Sequence, residues 1–196
     1  MDLEKCVKQL TLRGHKVSVF DTKEEAKEYL TSSLKDTEIG IGGCMTAEQM
    51  GLYEGLSENN KVYWHWKSAD PDIRAKANAA PVYITGINAL TQDGQILNID
   101  GMGNRLAGQV YGNKKVYFIS GTNKICDDFD SALSRARNVA AVTNSKRFTY
   151  ETPCKADGKC HDCRVKDRIC NALLVIWGPM FGMETEVILI KEELGY

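Results

Sequence analysis

Residues 87–108 read INALTQDGQILNIDGMGNRLAG, a run of turn signals and polar side chains set between two apolar stretches. Before it, residues 81–86 (PVYITG) predict a buried strand, and after it residues 115–120 (KVYFIS) predict another. Inside it, Gln92-Asp93-Gly94 is a tight-turn signature between Ala89-Leu90-Thr91 and residues 95–99, which predicts a small hairpin. Asp100-Gly101-Met102-Gly103 then breaks the hairpin and lets residues 104–107 start a short helix. Asp100, Asn104 and Arg105 are thereby gathered at a helix start beside a strand end, where open α/β sheets place their ligands. The plainer alternative is a clamp in which Asp100 caps the helix and Arg105 pairs with it.

Working towards the N-terminus, residues 38–51 (EIGIGGCMTAEQMG) form the second informative stretch. A short apolar strand meets Gly42-Gly43, and Thr46 is placed to cap a helix with Glu48 and Gln49 in its first turn. Glycines let backbone N–H groups approach an anion, and a helix start favours negative charge; without a Walker lysine the motif is not a P-loop. Cys44 is expected as a small residue packed in the turn, with nucleophile as the alternative and His65 as a conceivable base. Residues 62–66 (VYWHW) are read as a core strand with one polar tip rather than a pocket wall.

At the front of the chain, Leu3, Cys6, Val7 and Leu10 fall at helical spacing from Met1 up to Gly14, and residues 15–20 predict a strand. Thr22 with Glu25 is a capping box for the next helix. Residues 127–130 open a further helix ending near residues 135–137, and Lys124, at the end of the strand before it, is able to reach an anion held near Gly42-Gly43. Strands and helices alternate through most of the first 140 residues. The fold class is therefore α/β with a mostly parallel sheet and helices on both faces.

With 196 residues, 43% hydrophobic and 26% charged, the chain has room for one full core. Its formal net charge of −1 gives no reason to expect nucleic acid. No run reaches bilayer length and the start has no signal-peptide core, so the expected location is the cytoplasm, without a membrane partner. The seven cysteines are expected as ligands, packed thiols or reactive groups rather than disulfides.

The tail changes character. Residues 152–171 read TPCKADGKCHDCRVKDRICN and carry Cys154, Cys160, Cys163 and Cys170 at short spacings, which predicts a four-cysteine metal centre. One CxxC plus two isolated cysteines favours a [4Fe–4S] cluster over Zn2+. Lys155, Lys159, Arg164, Lys166 and Arg168 are positioned to offset the thiolate charge. Residues 172–177 and 186–190 are expected to close the chain as a strand pair, and their connecting loop, residues 178–183, is a candidate partner or dimer contact. The expected division is an α/β core over residues 1–150, with residues 151–196 forming the metal segment and strand pair of the same domain.

Taken together, the GGCMT turn, NALTQDGQILNIDGMGNRLAG, GTNKI, the SKR before TPC, GKCHDC, RICN and EVILIKEELGY resemble the LUD family, domains associated with lactate utilisation. The likeness is to its anaerobe-type members with a C-terminal cysteine segment. The resemblance implies a three-layer α/β/α arrangement similar to the sugar-phosphate isomerase and CoA-transferase group. It implies a pocket at Gly42, Gly43, Met45 and Thr46 from the turn, and Asn88 and Asp93 from the hairpin. Asp100, Asn104, Arg105 and Lys124 complete that set. Arg105, Lys124 and backbone amides would hold an anion, with Asp93 or Asp100 as the carboxylate for proton transfer. The first expectation is an accessory protein of L-lactate or related hydroxy-acid oxidation. It would bind a small anionic metabolite and the metal centre, with other oxidation subunits or a second copy as partners. The alternatives are an isomerase, ligase or acyl-transferase acting on a sugar phosphate or CoA ester, and a zinc-stapled interaction module.

Overall fold

The computed structural model describes residues 2–196; the expected helix start at Met1 lies outside the described residues. α1 (Leu3–Leu12) is capped by Asp2, whose side chain accepts from the Lys5 amide, and it buries Cys6 and Leu10. β1 (Lys16–Phe20) leads to α2 (Lys23–Ser33), which starts with the reciprocal Thr22–Glu25 capping box expected from the sequence. β2 (Glu38–Ile41), α3 (Met45–Gln49), α4 (Leu52–Ser57), β3 (Lys61–Trp64), α5 (Ile73–Ala79) and β4 (Val82–Gly86) follow.

The expected hairpin is β5 (Ala89–Thr91) and β6 (Ile96–Asp100), closed by a turn in which Gly94 takes a φ of +79°. α6 (Asn104–Val110) and β7 (Lys115–Gly121) come next, then a single 3-10 turn, Thr122–Lys124, and the short β8 (Ile125–Cys126). α7 (Phe129–Arg135) does not stop near residue 137 as expected. It runs on through a π-helical segment, Ala136–Ala141, into α8 (Val142–Ser145), because Ala136, Ala140 and Val142 keep a buried stripe along it. α9 (Pro153–Asp157), β9 (Ala172–Ile176) and β10 (Glu184–Ile190) complete the chain.

Six strands form the main sheet in the order β1-β10-β7-β4-β2-β3, and every pairing in it is parallel. Its central strands are apolar on both sides, as a covered parallel sheet requires. Ile39, Ile41, Ile84, Ile119 and Ile188 pack on one face with Leu30 of α2 and Leu52 of α4. Tyr83, Phe118, Val187 and Leu189 pack on the other with Leu10 of α1 and Ala77 of α5. The result is the three-layer α/β/α arrangement anticipated above.

The expected terminal strand pair is not formed. β10 inserts between β1 and β7 in the main sheet, whereas β9 pairs antiparallel with β6 at the edge of a second, four-stranded sheet ordered β8-β5-β6-β9. Burial separates them: Val187 to Ile190 are fully covered, while Leu173 is 44% exposed. Nearness in sequence suggested a hairpin, but only β10 has the two-sided apolar character of a central strand.

Candidate functional site

Parallel strands all end at the same edge, so the loops that leave them meet there. Gly43 follows β2, His65 and Trp66 follow β3, Asn88 follows β4, and Lys124 lies in the turn after β7; all of them line one cavity of about 780 Å3. Its far walls come from Arg147 and Phe148 beyond α8, from residues 166–169, and from Tyr196.

Arg105 is held in the cavity wall by three hydrogen bonds. Its Nε pairs with Asp100 Oδ2 at 3.3 Å, while Nη2 donates to Asn88 Oδ1 (3.1 Å) and to the Ile99 carbonyl (2.6 Å). Asp100 Oδ1 in turn accepts from the Met102 and Gly103 amides at 2.9 and 3.0 Å, so the helix cap proper is Gly103, not Asp100. Asn88 Oδ1 also accepts from the Ile99 amide (2.7 Å), and its own amide donates to Asn98. The clamp read from DGMGNR therefore exists and forms part of the cavity wall.

The glycine turn works differently from the expectation. Cys44, not Thr46, is the cap of α3: its Sγ accepts from the Ala47 amide at 3.3 Å, and it is 3% exposed, the packed small residue anticipated. The Gly42 amide continues the sheet ladder by donating to Ile84 (2.9 Å). With α3 only five residues long and Gly42 committed, positive charge in the cavity comes from side chains rather than from a helix start. Gly42 matters sterically, since a Cβ there would meet Tyr83 Oη at 2.8 Å and Arg105 Cγ at 2.9 Å.

Thr46 lies inside α3, fully buried, and accepts from Lys124 Nζ at 3.2 Å. Lys124 is 3% exposed, and burial pushes its ammonium down to about 8; Cys44 opposes the shift, while Arg135 and Arg105 add to it. Arg74, Arg105, Lys124, Arg147, Lys166 and Arg168 line the cavity against only two carboxylates, Asp100 and Asp167.

Eight of the ten candidate residues are brought together here: Gly43, Met45, Thr46, Asn88, Asp100, Asn104, Arg105 and Lys124. Gly42 lies behind the wall, under the Arg105 stem. Asp93 does not reach the cavity; it sits 59% exposed on the hairpin tip, paired with Lys5 at 3.1 Å. Asp93 is the third residue of the turn closed by the Gly94 amide on the Thr91 carbonyl (2.9 Å), so its carboxylate projects from the tip towards α1 and away from the cavity.

Sequence reasoning missed the cations of the far wall and undervalued the aromatic run. Trp64 is core, as expected, but Trp66 stacks on it with centroids 5.2 Å apart and, with His65, faces the cavity. The Arg147 guanidinium lies 4.0 Å above the Trp66 ring. Burial holds the His65 imidazole down at about 4, with Arg74 and Arg147 adding to the effect and Asp100 opposing it, so the ring is neutral near neutral pH. Its only early signal was two tryptophans flanking one histidine.

The four tail cysteines are free thiols. Among the described residues, no group of three or more His, Cys, Asp or Glu side chains stands close enough to hold a metal ion. Cys154 Sγ, on α9, contacts Ser145 Oγ and Thr152 Oγ1 at 3.5 and 3.3 Å, whereas Cys160 Sγ accepts from Arg137 Nη2 at 3.4 Å. Burial raises the Cys170 thiol; Arg168 opposes this, and Cys160 and Cys163 add to it. Arg168 holds the segment by donating to the Cys163 and Cys170 carbonyls at 2.7 and 3.0 Å. Asn171 pins it to the DGMG loop, its amide donating to the Asp100 carbonyl (2.9 Å) and its Nδ2 to the Gly101 carbonyl.

The family model described as the LUD domain matches residues 3–190. The crystal structure of a DUF162 family protein from Deinococcus radiodurans aligns with a TM-score of 0.57 at 14% identity, covering 96% of this chain and 95% of that one. That likeness is one of fold. The crystal structure of eIF2B beta from Chaetomium thermophilum aligns at a TM-score of 0.33 and 16% identity, over 65% of this chain and 44% of that chain. No curated protein sequence matches the chain.

Proposed function

We infer that this chain, which belongs to the LUD domain family of lactate-utilisation proteins, takes a small anionic metabolite into the cavity at the carboxyl edge of its main sheet. The observation that carries this reading is the charge of the wall, six basic side chains against two acidic ones, with one of the six buried. Positive charge gathered in a low-dielectric recess is costly unless an anion enters it, and it focuses the field that draws one in. Arg105 turns Nε and Nη2 to protein acceptors, which sets the rest of the fork in a defined orientation. Asp100 spends both oxygens on loop amides and Arg105, which suits a positioning residue better than a proton-transfer group.

The activity is therefore that of an accessory protein of L-lactate or related hydroxy-acid oxidation, with binding as its first duty. A thermal-shift screen of small carboxylates and phosphates tests it: stabilisation by anions that disappears on Arg105→Met supports the reading. An unchanged melting temperature across the panel contradicts it. Turnover of a sugar phosphate or CoA ester, abolished by Asp100→Ala in a folded protein, would favour the enzyme reading instead.

The second reading is a metal centre on Cys154, Cys160, Cys163 and Cys170, supported by the effect of Cys160 and Cys163 on the Cys170 thiol and by the Arg137 and Arg168 charges beside the segment. Binding would require Cys154 to leave its contacts with Thr152 and Ser145. A [4Fe–4S] cluster would supply electron transfer, and Zn2+ a structural staple. Metal analysis and an optical spectrum of protein made without oxygen decide it; metal-free, colourless protein with four titratable thiols in this segment contradicts it.

A further inference from the structure

Lys124 is unusual among the cations of the cavity. It is 3% exposed, and its one hydrogen bond among the described residues goes to a neutral partner, Thr46 Oγ1 at 3.2 Å. Among the described residues, no carboxylate pairs with it. The charged groups that influence it are Cys44, Arg135 and Arg105. Buried lysines kept for structure are ordinarily matched by an acid, and this one shares its cavity wall with Arg105. A lysine desolvated next to other cationic groups is the arrangement that makes an amine nucleophilic.

We propose that Lys124 is a carbonyl-capturing nucleophile, whose amine forms a reversible imine with the C2 carbonyl of an anionic 2-oxo acid held in the cavity. This rests on the anion-binding reading above and names the ligand class for it. A carboxylate one bond from the reacting carbon matches an amine set within electrostatic reach of Arg105. In the step, the Nζ lone pair attacks C2 and the C=O π pair moves to oxygen, which takes up a proton. The carbinolamine then loses that hydroxyl with a proton as water, and nitrogen and C2 become doubly bonded. Nothing is oxidised or reduced, and Thr46 Oγ1 is placed to hydrogen-bond the amine during the proton exchanges. With the ammonium titrating at about 8, roughly a tenth of Lys124 is neutral near neutral pH.

The experiment incubates the full chain with pyruvate and cyanoborohydride and maps the reduced adduct by peptide mass spectrometry. L-lactate serves as the probe without a carbonyl, and Lys124→Arg and Lys124→Met as variants, with their folding checked by melting temperature. The expected result is an adduct on Lys124 that is absent with lactate, lost in both variants, and increasing as pH is raised through about 8. Labelling confined to exposed lysines, or persisting equally in Lys124→Arg, overturns the proposal. Pyruvate that raises the melting temperature yet leaves Lys124 unlabelled overturns the imine and spares the anion site; neither pyruvate nor lactate altering the melting temperature goes against both.

Discussion

Arg105 Cγ lies 2.9 Å from the point that a Cβ on Gly42 would occupy, so the guanidinium that organises the cavity rests its stem on a residue that must lack a side chain. Gly42→Ala would drive that stem and the Tyr83 hydroxyl, 2.8 Å away, out of place. The expected cost is about 1–3 kcal/mol of stability, with anion stabilisation lost. Gly43→Ala is the control: its Cβ would make ordinary contacts of 3.4 to 3.6 Å with Trp66 and His65, and stability should stay near wild type. Urea unfolding of both variants, with and without ligand, checks the contrast.

Arg105→Lys keeps the charge and loses the fork. A single ammonium cannot satisfy Asp100 Oδ2, Asn88 Oδ1 and the Ile99 carbonyl together. Leaving such acceptors unpaired costs about 1–3 kcal/mol. The expected phenotype is a lower melting temperature and weakened anion binding despite unchanged net charge. Affinity equal to wild type would show that Arg105 acts as a bare charge.

Acid should destabilise the protein through His15. The ring is 2% exposed, with Nδ1 2.6 Å from Thr185 Oγ1 and, among the described residues, no hydrogen-bond partner for Nε2. Burial, helped by the Arg13 charge, lowers its pKa from 6.5 to about 4. Because the folded value is the lower one, the stabilisation is complete above the unfolded pKa and is lost as pH falls from 6.5 towards 4. The loss approaches about 3 kcal/mol. Urea midpoints measured across that range should fall less steeply in His15→Phe; identical slopes would contradict the assignment.

Arg168 ties the cysteine segment together through the Cys163 and Cys170 carbonyls and also lines the cavity. Arg168→Ala should therefore loosen the segment, read as faster amide hydrogen exchange over residues 163–171, and weaken anion binding at once. Faster exchange with unaltered anion affinity would separate the two roles.

What the sequence showed of all this follows from which signals are local. The hairpin turn at Gln92-Asp93-Gly94, the Thr22–Glu25 capping box and the alternation of strands and helices each depend on neighbouring residues, and each was legible. The pairing of β10 depends on which gap in the sheet accepts a strand apolar on both faces, which nearness to β9 misrepresented. The near wall of the cavity was legible because turn residues and charges coincide in GGCMT, DGMGNR and GTNK. Arg74, Arg147 and Lys166 were not, since an exposed-looking cation in a polar segment carries no mark of the wall it will face. The π-helical turn that sets Ala140 and Ala141 on that wall has no signature in its own alanines either.

The most direct measurement of the central claim is a calorimetric titration of the protein with small hydroxy- and 2-oxo-carboxylates, each paired with its neutral amide. Saturable binding of at least one carboxylate, absent for its amide and abolished in Arg105→Met, is the result the charge of the cavity requires. Carboxylate and amide binding alike, or no carboxylate binding at all, would contradict it.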